Sequence, residues 1–171
     1  SLPVTRDDRR ETSVFPTAVS QAFAYEGEYV VKETLDYGSG YWMKFIGAQD
    51  VGIEGIPRKQ DSIGVSAKWN IVGGISYAVD VDSIVEVPGG IVTSQYFGYD
   101  GGYQIADSIE PGKAYWVKTS SAGKLFLKKP GATAQPKQYA KNYNALRDLN
   151  ALTISDARGR TTTLYFGKQS S

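Results

Sequence analysis

Hydrophobic and polar residues alternate in short runs along most of the first 128 residues, and Gly-containing turns separate the runs. Alternation with a period of two is typical of half-buried β-strands. The turn at 111–113 predicts a strand at Ala114–Thr119, and the turn at 121–123 predicts another through 125–127. No stretch in this part has a clear helical period. We therefore predict an all-β fold of roughly eight to ten short strands, as in antiparallel sandwiches and barrels.

The chain matches itself after a shift of 74 residues. Between 23 and 44, eight of the 22 positions are identical to those between 97 and 118, without a gap. The identical pairs are Phe23/Phe97, Tyr25/Tyr99, Gly27/Gly101, Tyr29/Tyr103, Gly38/Gly112, Tyr41/Tyr115, Trp42/Trp116 and Lys44/Lys118. We therefore predict two copies of one β unit, a first copy at 1–66 and a second copy at 67–128. Neither could bury its apolar face alone, which predicts packing about a pseudo-two-fold axis.

Both copies carry the signal of a β-hairpin. The Asp-Gly pair at 100–101 lies between aromatic runs and predicts a two-residue turn, and the Glu-Gly pair at 26–27 is its weaker counterpart. In the first copy, the Gly-rich turn at 38–40 predicts a strand at 41–46, followed by a strand at 51–54.

The C-terminal part differs in composition from the rest. Residues 129–171 hold seven Lys or Arg and two Asp or Glu, whereas the remainder is net acidic. This break predicts a linker at 129–150. The apolar runs 151–155 and Thr161–Phe166 predict a further hairpin within 151–167, which either extends the main domain or begins another module.

The tryptophans of the predicted third strands are candidate ligand contacts. Trp42 shares a strand face with Lys44, and Trp116 shares a face with Lys118. Since lysine is rarely buried, both indoles then point toward solvent beside a hydrogen-bond donor. Such a surface stacks on a sugar ring or on an apolar anchor of another protein. The alternative is that loops cover the indoles while the lysines reach past them to water.

The hairpin tyrosines extend this candidate platform. Across a two-residue turn, Tyr99 shares a face with Phe97 and Gln104, while Tyr103 lies on the other face. The polar Gln104 favours the Tyr99 face as the wetter one, and Tyr25 is the first-copy counterpart of Tyr99. Packing between the two strands of the hairpin is the alternative interpretation.

Strand alternation assigns Trp69 to the core. This residue shares a face with Ala67 and Ile71, while its neighbours Lys68 and Asn70 point the other way. The first-copy counterpart of Trp69 would precede the first residue printed, so we expect the chain to begin inside a first strand.

The composition excludes several classes of chemistry. With no His and no Cys among the 171 residues, the chain cannot form a Ser-His-Asp triad, a Cys nucleophile, a Cys/His zinc site or a disulfide. The duplicated acidic residues fall in or beside turns, where solvated acids are common. We expect no enzymatic activity, no cofactor and no metal. A net charge of +1 argues against nucleic acid as a partner, and the apolar runs are too short for membrane insertion.

Several motifs resemble a duplicated module found near the C-terminus of large bacterial surface proteins that are exported by type IX secretion. They are W-N-I-V at 69–72, P-G-G-I-V-T-S-Q at 88–95, F-G-Y at 97–99 and P-G-K-A-Y-W-V-K at 111–118. The strand pair within 151–167 resembles the segment that follows this module. The resemblance implies an extracellular or cell-surface accessory domain without catalysis, joined to neighbouring domains of a parent protein.

We expect the chain to bind a polysaccharide or cell-surface glycan through Trp42, Trp116, Tyr25, Tyr99, Lys44 and Lys118. The alternative is a structural spacer or docking and adhesion domain whose repeated aromatic residues all pack in the core.

Overall fold

The computed structural model describes residues 1–131 and the backbone of Asn150–Ser155 and Thr161–Phe166. It is nearly all-β, with several antiparallel sheets, consistent with a β-sandwich. Residues 1–132 and 133–171 form two compact units. The strands of the first unit are β1 Val4–Thr5, β2 Ala22–Tyr25, β3 Tyr29–Lys32, β4 Ile56–Pro57, β5 Gln60–Val65, β6 Lys68–Gly73, β7 Val79–Asp80, β8 Val85–Val87, β9 Tyr96–Tyr99, β10 Tyr103–Ala106, β11 Ser108–Ile109, β12 Ala114–Thr119 and β13 Gly123–Lys128.

Two larger sheets organise this unit. One has the order β10-β9-β12-β6 and the other the order β5-β13-β8, with every neighbouring pair antiparallel. Two-stranded ladders join β1 to β4, β2 to β3 and β7 to β11. Strand β5 belongs to the predicted first copy and β13 to the second, so this sheet crosses the boundary between them.

The second-copy strands confirm the alternation pattern. Strand β12 occupies the predicted range, and β13 contains the predicted run at 125–127. In the second unit, β14 Asn150–Ser155 and β15 Thr161–Phe166 pair antiparallel, as the apolar runs predicted. Most of the predicted linker, 132–149, and the turn at 156–160 lie outside the described residues.

The predicted strands 41–46 and 51–54 of the first copy do not form. In the first, Trp42 makes an isolated bridge to Phe23, and the second has no ladder partner among the described residues. A β-strand forms only where another chain segment pairs with it through backbone hydrogen bonds. The alternation of apolar and polar residues does not show whether such a segment is present. The first unit also has thirteen described strands, more than predicted, because many are only two residues long. Its single α-helix, α1 Glu11–Val14, is one turn.

The apolar side chains are buried in two clusters. One, which includes Val72, Val117 and Leu125, draws on strands from β5 to β13. The other, which includes Leu2 and Leu35, draws on residues of the first 53. We predicted that the two copies bury their apolar faces against each other. The larger cluster combines Ile63 and Val65 of the predicted first copy with residues of the second, whereas the smaller cluster draws on the first copy alone.

Both predicted hairpins form, but their turns are one residue longer than predicted. In β9–β10, Tyr99 pairs with Tyr103 across three residues, with Gly101 at φ +65°. In β2–β3, Tyr25 pairs with Tyr29 in the same way, with Gly27 at φ +91°. A one-residue change in a hairpin moves every side chain of the second strand to the opposite face.

The longer turn corrects the predicted hairpin faces. Paired residues share a face, so Tyr103 lies with Tyr99 and Phe97, and Gln104 points to the other side. The argument that used Gln104 to identify the wetter face was therefore wrong. The same correction places Tyr29 beside Tyr25 in the first hairpin.

Candidate functional site: an aromatic groove

Strand β12 presents Trp116 on its outer face. The inner residues Tyr115, Val117 and Thr119 are buried, whereas Trp116 is half-buried and Lys118 is exposed. This is the alternation that the sequence predicted, and it keeps Trp116 out of the core.

Trp69 also lies on the outer face, and its assignment to the core was wrong. Its side chain is 39% exposed. Strand β6 pairs with β12 so that Trp69 lies opposite Lys118 and Ile71 lies opposite Trp116. Because paired residues share a face, Trp69 joins the outer face, and its ring lies 6.2 Å from that of Trp116 at 88°. Alternation groups the residues of one strand, but the pairing with β12 decides which group faces outward.

The tip of each hairpin lies against a tryptophan of the other predicted copy. The ring of Tyr25 is edge-on to Trp116, with centroids 4.9 Å apart. The ring of Tyr99 is edge-on to Trp42, with centroids 5.0 Å apart. These are favourable geometries for aromatic pairs, which prefer edge-to-face contact to a face-to-face sandwich.

An open groove of about 410 Å³ lies among these rings. We call it the aromatic groove, and it is lined by Tyr25, Trp69, Phe97, Tyr103 and Trp116. The sequence predicted two of these residues, Tyr25 and Trp116. Tyr103 was missed because of the turn length, and Trp69 and Phe97 because the pairing of β6 and β9 with β12 was unknown.

Trp116 carries an unsatisfied donor. Its indole Nε1 is buried and has no hydrogen-bond partner among the described residues. An indole N–H in a buried place normally has a partner.

A more polar cavity of about 480 Å³ shares Tyr25 and Trp69 with the aromatic groove. Its lining includes Lys68, which has φ +81°, a left-handed conformation that costs a non-Gly residue roughly 1–2 kcal/mol. The Asn70 amide holds this turn by donating to the carbonyl oxygens of Ser66 at 2.9 Å and Lys68 at 3.1 Å. Strain of this kind is concentrated at functional sites.

The remaining predicted contacts lie elsewhere. Trp42 is half-buried and Tyr99 is 55% exposed, and both line a second cavity of about 250 Å³, which shares Phe97 and Trp116 with the aromatic groove. Lys44 and Lys118 are exposed but line neither this cavity nor the aromatic groove. The structure therefore brings Tyr25 and Trp116 together in the aromatic groove, and Trp42, Tyr99 and Trp116 together in the second cavity, but not all six residues in one site.

Several contacts occur twice, 74 residues apart. The Lys44 N–H donates to Ser20 Oγ at 2.8 Å, and the Lys118 N–H donates to Ser94 Oγ at 2.9 Å. Each third-strand tyrosine hydroxyl accepts one backbone N–H, from Asp36 to Tyr41 and from Glu110 to Tyr115. Burial raises the pKa of both tyrosines.

No family model, no curated protein and no solved structure matches this chain. Among the described residues, no helix is long and apolar enough to span a membrane, and no group of three or more acidic side chains could hold a metal ion.

Proposed function

We propose that this chain is a non-catalytic binding module that recognises a polysaccharide through the aromatic groove. The observation that carries the proposal is the lining of the groove, which consists of five aromatic side chains around an open space of about 410 Å³. Exposed aromatic rings of this size are costly to leave in water, and contiguous exposed apolar patches mark interaction sites.

A sugar suits both the groove and the cavity beside it. The C–H faces of a pyranose ring pack against aromatic rings, while its hydroxyls need polar partners. Trp69 offers an indole that is 39% exposed, and Lys68 lines the adjoining polar cavity. The groove and the polar cavity share Tyr25 and Trp69, so an extended glycan with one sugar residue over the rings and the next toward Lys68 would occupy both.

We further propose that the two copies arose by duplication and are related by a pseudo-two-fold axis. The repeated hydrogen bonds at a spacing of 74 residues and the exchanged Tyr–Trp contacts support this relationship. A parent protein at the cell surface or outside the cell, as the sequence resemblance implies, would use such a module to hold its other domains on a glycan.

Titration calorimetry against a panel of bacterial and plant polysaccharides tests the binding proposal. Trp69→Ala should weaken binding at least about tenfold, which corresponds to about 1.4 kcal/mol. Phe126→Ala is the matched control, because Phe126 is similarly exposed at 37% but lies on β13, away from the groove. Equal affinity of the two variants, at unchanged melting temperature, would contradict the proposal.

A structural spacer or docking domain is the second candidate. The favouring observation is that Tyr25 and Trp42 already pack against other rings of the chain, so packing alone accounts for them. In that case Tyr103→Ala and Trp69→Ala would change stability slightly, and no polysaccharide of the panel would bind.

A further inference from the structure

Strand β12 has neighbours on both of its edges. One edge meets β9 at the pair Trp116–Phe97, and the other pairs with all six residues of β6. The strand is therefore fully incorporated into its sheet.

Segment 41–45 is the first-copy counterpart of β12, and it has a neighbour that corresponds to β9 and the residues before it. Trp42 and Phe23 exchange two backbone hydrogen bonds of 2.9 and 3.0 Å, and the Val19 N–H donates to the Lys44 carbonyl at 2.8 Å. These contacts reproduce the pairing of β12 with the segment that leads into β9, where the Thr93 N–H donates to the Lys118 carbonyl at 2.8 Å.

Among the described residues, segment 41–45 has no neighbour that corresponds to β6. In an extended chain, the backbone groups of alternate residues point to opposite edges. Since Trp42 and Lys44 bond on one side, the N–H and C=O groups of Tyr41, Met43 and Phe45 point to the other. No described residue forms a backbone hydrogen bond with these three. We call this side the free edge.

The free edge adjoins apolar surface. Tyr41, Met43 and Phe45 line the cavity of about 250 Å³, together with residues from β9 and β12. Met43 and Phe45 are half-buried although no described strand pairs with them. An unpaired row of N–H and C=O groups beside an apolar cavity is a template for an added strand.

We propose that the free edge binds an extended polypeptide segment with the alternation of β6, added antiparallel as a further strand. The segment comes from outside the residues that the structure describes. Its chemistry follows from the way β6 sits on β12, because segment 41–45 matches β12 in its sequence and in its first neighbour.

The register of β6 defines what the added segment must carry. In the second copy, Val72 pairs with Tyr115 and both are buried, while Ile71 pairs with Trp116 on the outer face. By the same register, the segment places a β-branched aliphatic residue opposite Tyr41 and a larger apolar residue opposite Trp42. Strand β6 itself cannot serve, since it is held by β12.

The hydrogen bonds of β6 show which amides form the ladder. The Ile71 carbonyl accepts from Gly40 at 3.1 Å and the Gly73 N–H donates to Gly38 at 2.8 Å, so these two residues point away from β12. The amides of Asn70 and Val72 therefore point toward β12. An added segment of the same sequence would use the same two amides on the free edge.

Fluorescence anisotropy with a labelled peptide of sequence 67–74 tests the proposal. The peptide should bind the whole chain, and N-methylation of its amide at the position of Val72 should weaken binding about tenfold through the lost ladder bond. N-methylation at the position of Ile71 should leave binding unchanged. If both methylated peptides bind as the parent does, the contact is apolar adhesion and the proposal is wrong.

Protein variants locate the peptide. Met43→Pro removes a donor of the free edge and should abolish binding, whereas Met43→Leu keeps the donor and should bind normally. Binding that survives Met43→Pro in a folded protein would show that the peptide lies elsewhere. A peptide-free dimer that Met43→Pro dissociates would instead identify a second copy as the occupant and overturn the proposal. None of these outcomes depends on polysaccharide binding.

Discussion

The ring of Tyr25 lies edge-on to the indole of Trp116, with centroids 4.9 Å apart and planes at 67°. The two residues belong to different predicted copies. The contact therefore joins the tip of the β2–β3 hairpin to the sheet β10-β9-β12-β6. The counterpart residues Tyr99 and Trp42 form the same contact at 5.0 Å.

The Tyr25–Trp116 pair should stabilise the fold beyond its area of burial. A double-mutant cycle with Tyr25→Ala and Trp116→Ala, measured by urea unfolding, should give a coupling free energy of about 0.5–1.5 kcal/mol. Tyr29→Ala with Trp116→Ala is the control, because Tyr29 contacts Tyr25 but makes no ring contact with Trp116. A coupling free energy near zero for the first pair would mean that the two rings act independently.

Gly40 lies at a close contact between the two predicted copies. A Cβ atom at this position would lie 2.2 Å from Ile71 Cγ2 and 2.7 Å from Ala114 Cβ. Gly40→Ala should therefore lower the free energy of unfolding by about 1–3 kcal/mol, as overpacking does in cores. Gly47→Ala is the control, since a Cβ there meets no atom within 4 Å. Equal melting temperatures for the two variants would contradict this packing.

Arg58 and Asp61 form the most buried ion pair of the described residues, at 2.7 Å and with side chains 10% and 12% exposed. The guanidinium also stacks on Tyr37 at 4.3 Å. Asp61→Ala should lower the free energy of unfolding by about 3–5 kcal/mol, because it leaves the Arg58 charge buried without its partner. The double variant Arg58→Met with Asp61→Ala should recover part of this loss. No recovery would indicate that the pair acts through packing instead of charge.

Tyr96 should make the fold sensitive to alkali. Burial, with a smaller contribution from Glu86, raises the pKa of Tyr96 from 10.0 to about 12. The unfolded chain then ionises at lower pH than the folded one, so stability is constant below pH 10 and falls as the pH rises toward 12. Between pH 9 and 11.5, the wild-type protein should lose about 2 kcal/mol more than Tyr96→Phe.

Urea unfolding of both proteins at each pH measures this difference. Burial raises the pKa of Tyr41 and Tyr115 as well, so both proteins should lose some stability, and only the gap between them reports on Tyr96. Parallel pH profiles would show that the Tyr96 hydroxyl ionises normally in the folded protein.

The local sequence pattern predicted the structure correctly in two situations. One is the alternation of buried and exposed residues within a single strand, and the other is a hairpin whose two strands are close in sequence. The alternation in β12 correctly separated buried Tyr115 and Val117 from the half-buried Trp116. The hairpins at 26–27 and 100–101 formed where glycines with positive φ allow the chain to reverse, since both strands of a hairpin are close in sequence. The strand pair β14–β15 formed for the same reason.

The tertiary structure alone decided everything that depends on a distant neighbour. Trp69 faces outward because β6 pairs with β12, some 45 residues along the chain, and alternation within β6 contains no information on that register. Segment 41–45 is not a strand although its sequence matches that of β12, because a ladder needs a second chain segment and none lies on its free edge among the described residues. The aromatic groove exists only because five strands, β2, β6, β9, β10 and β12, bring one ring each to the same place.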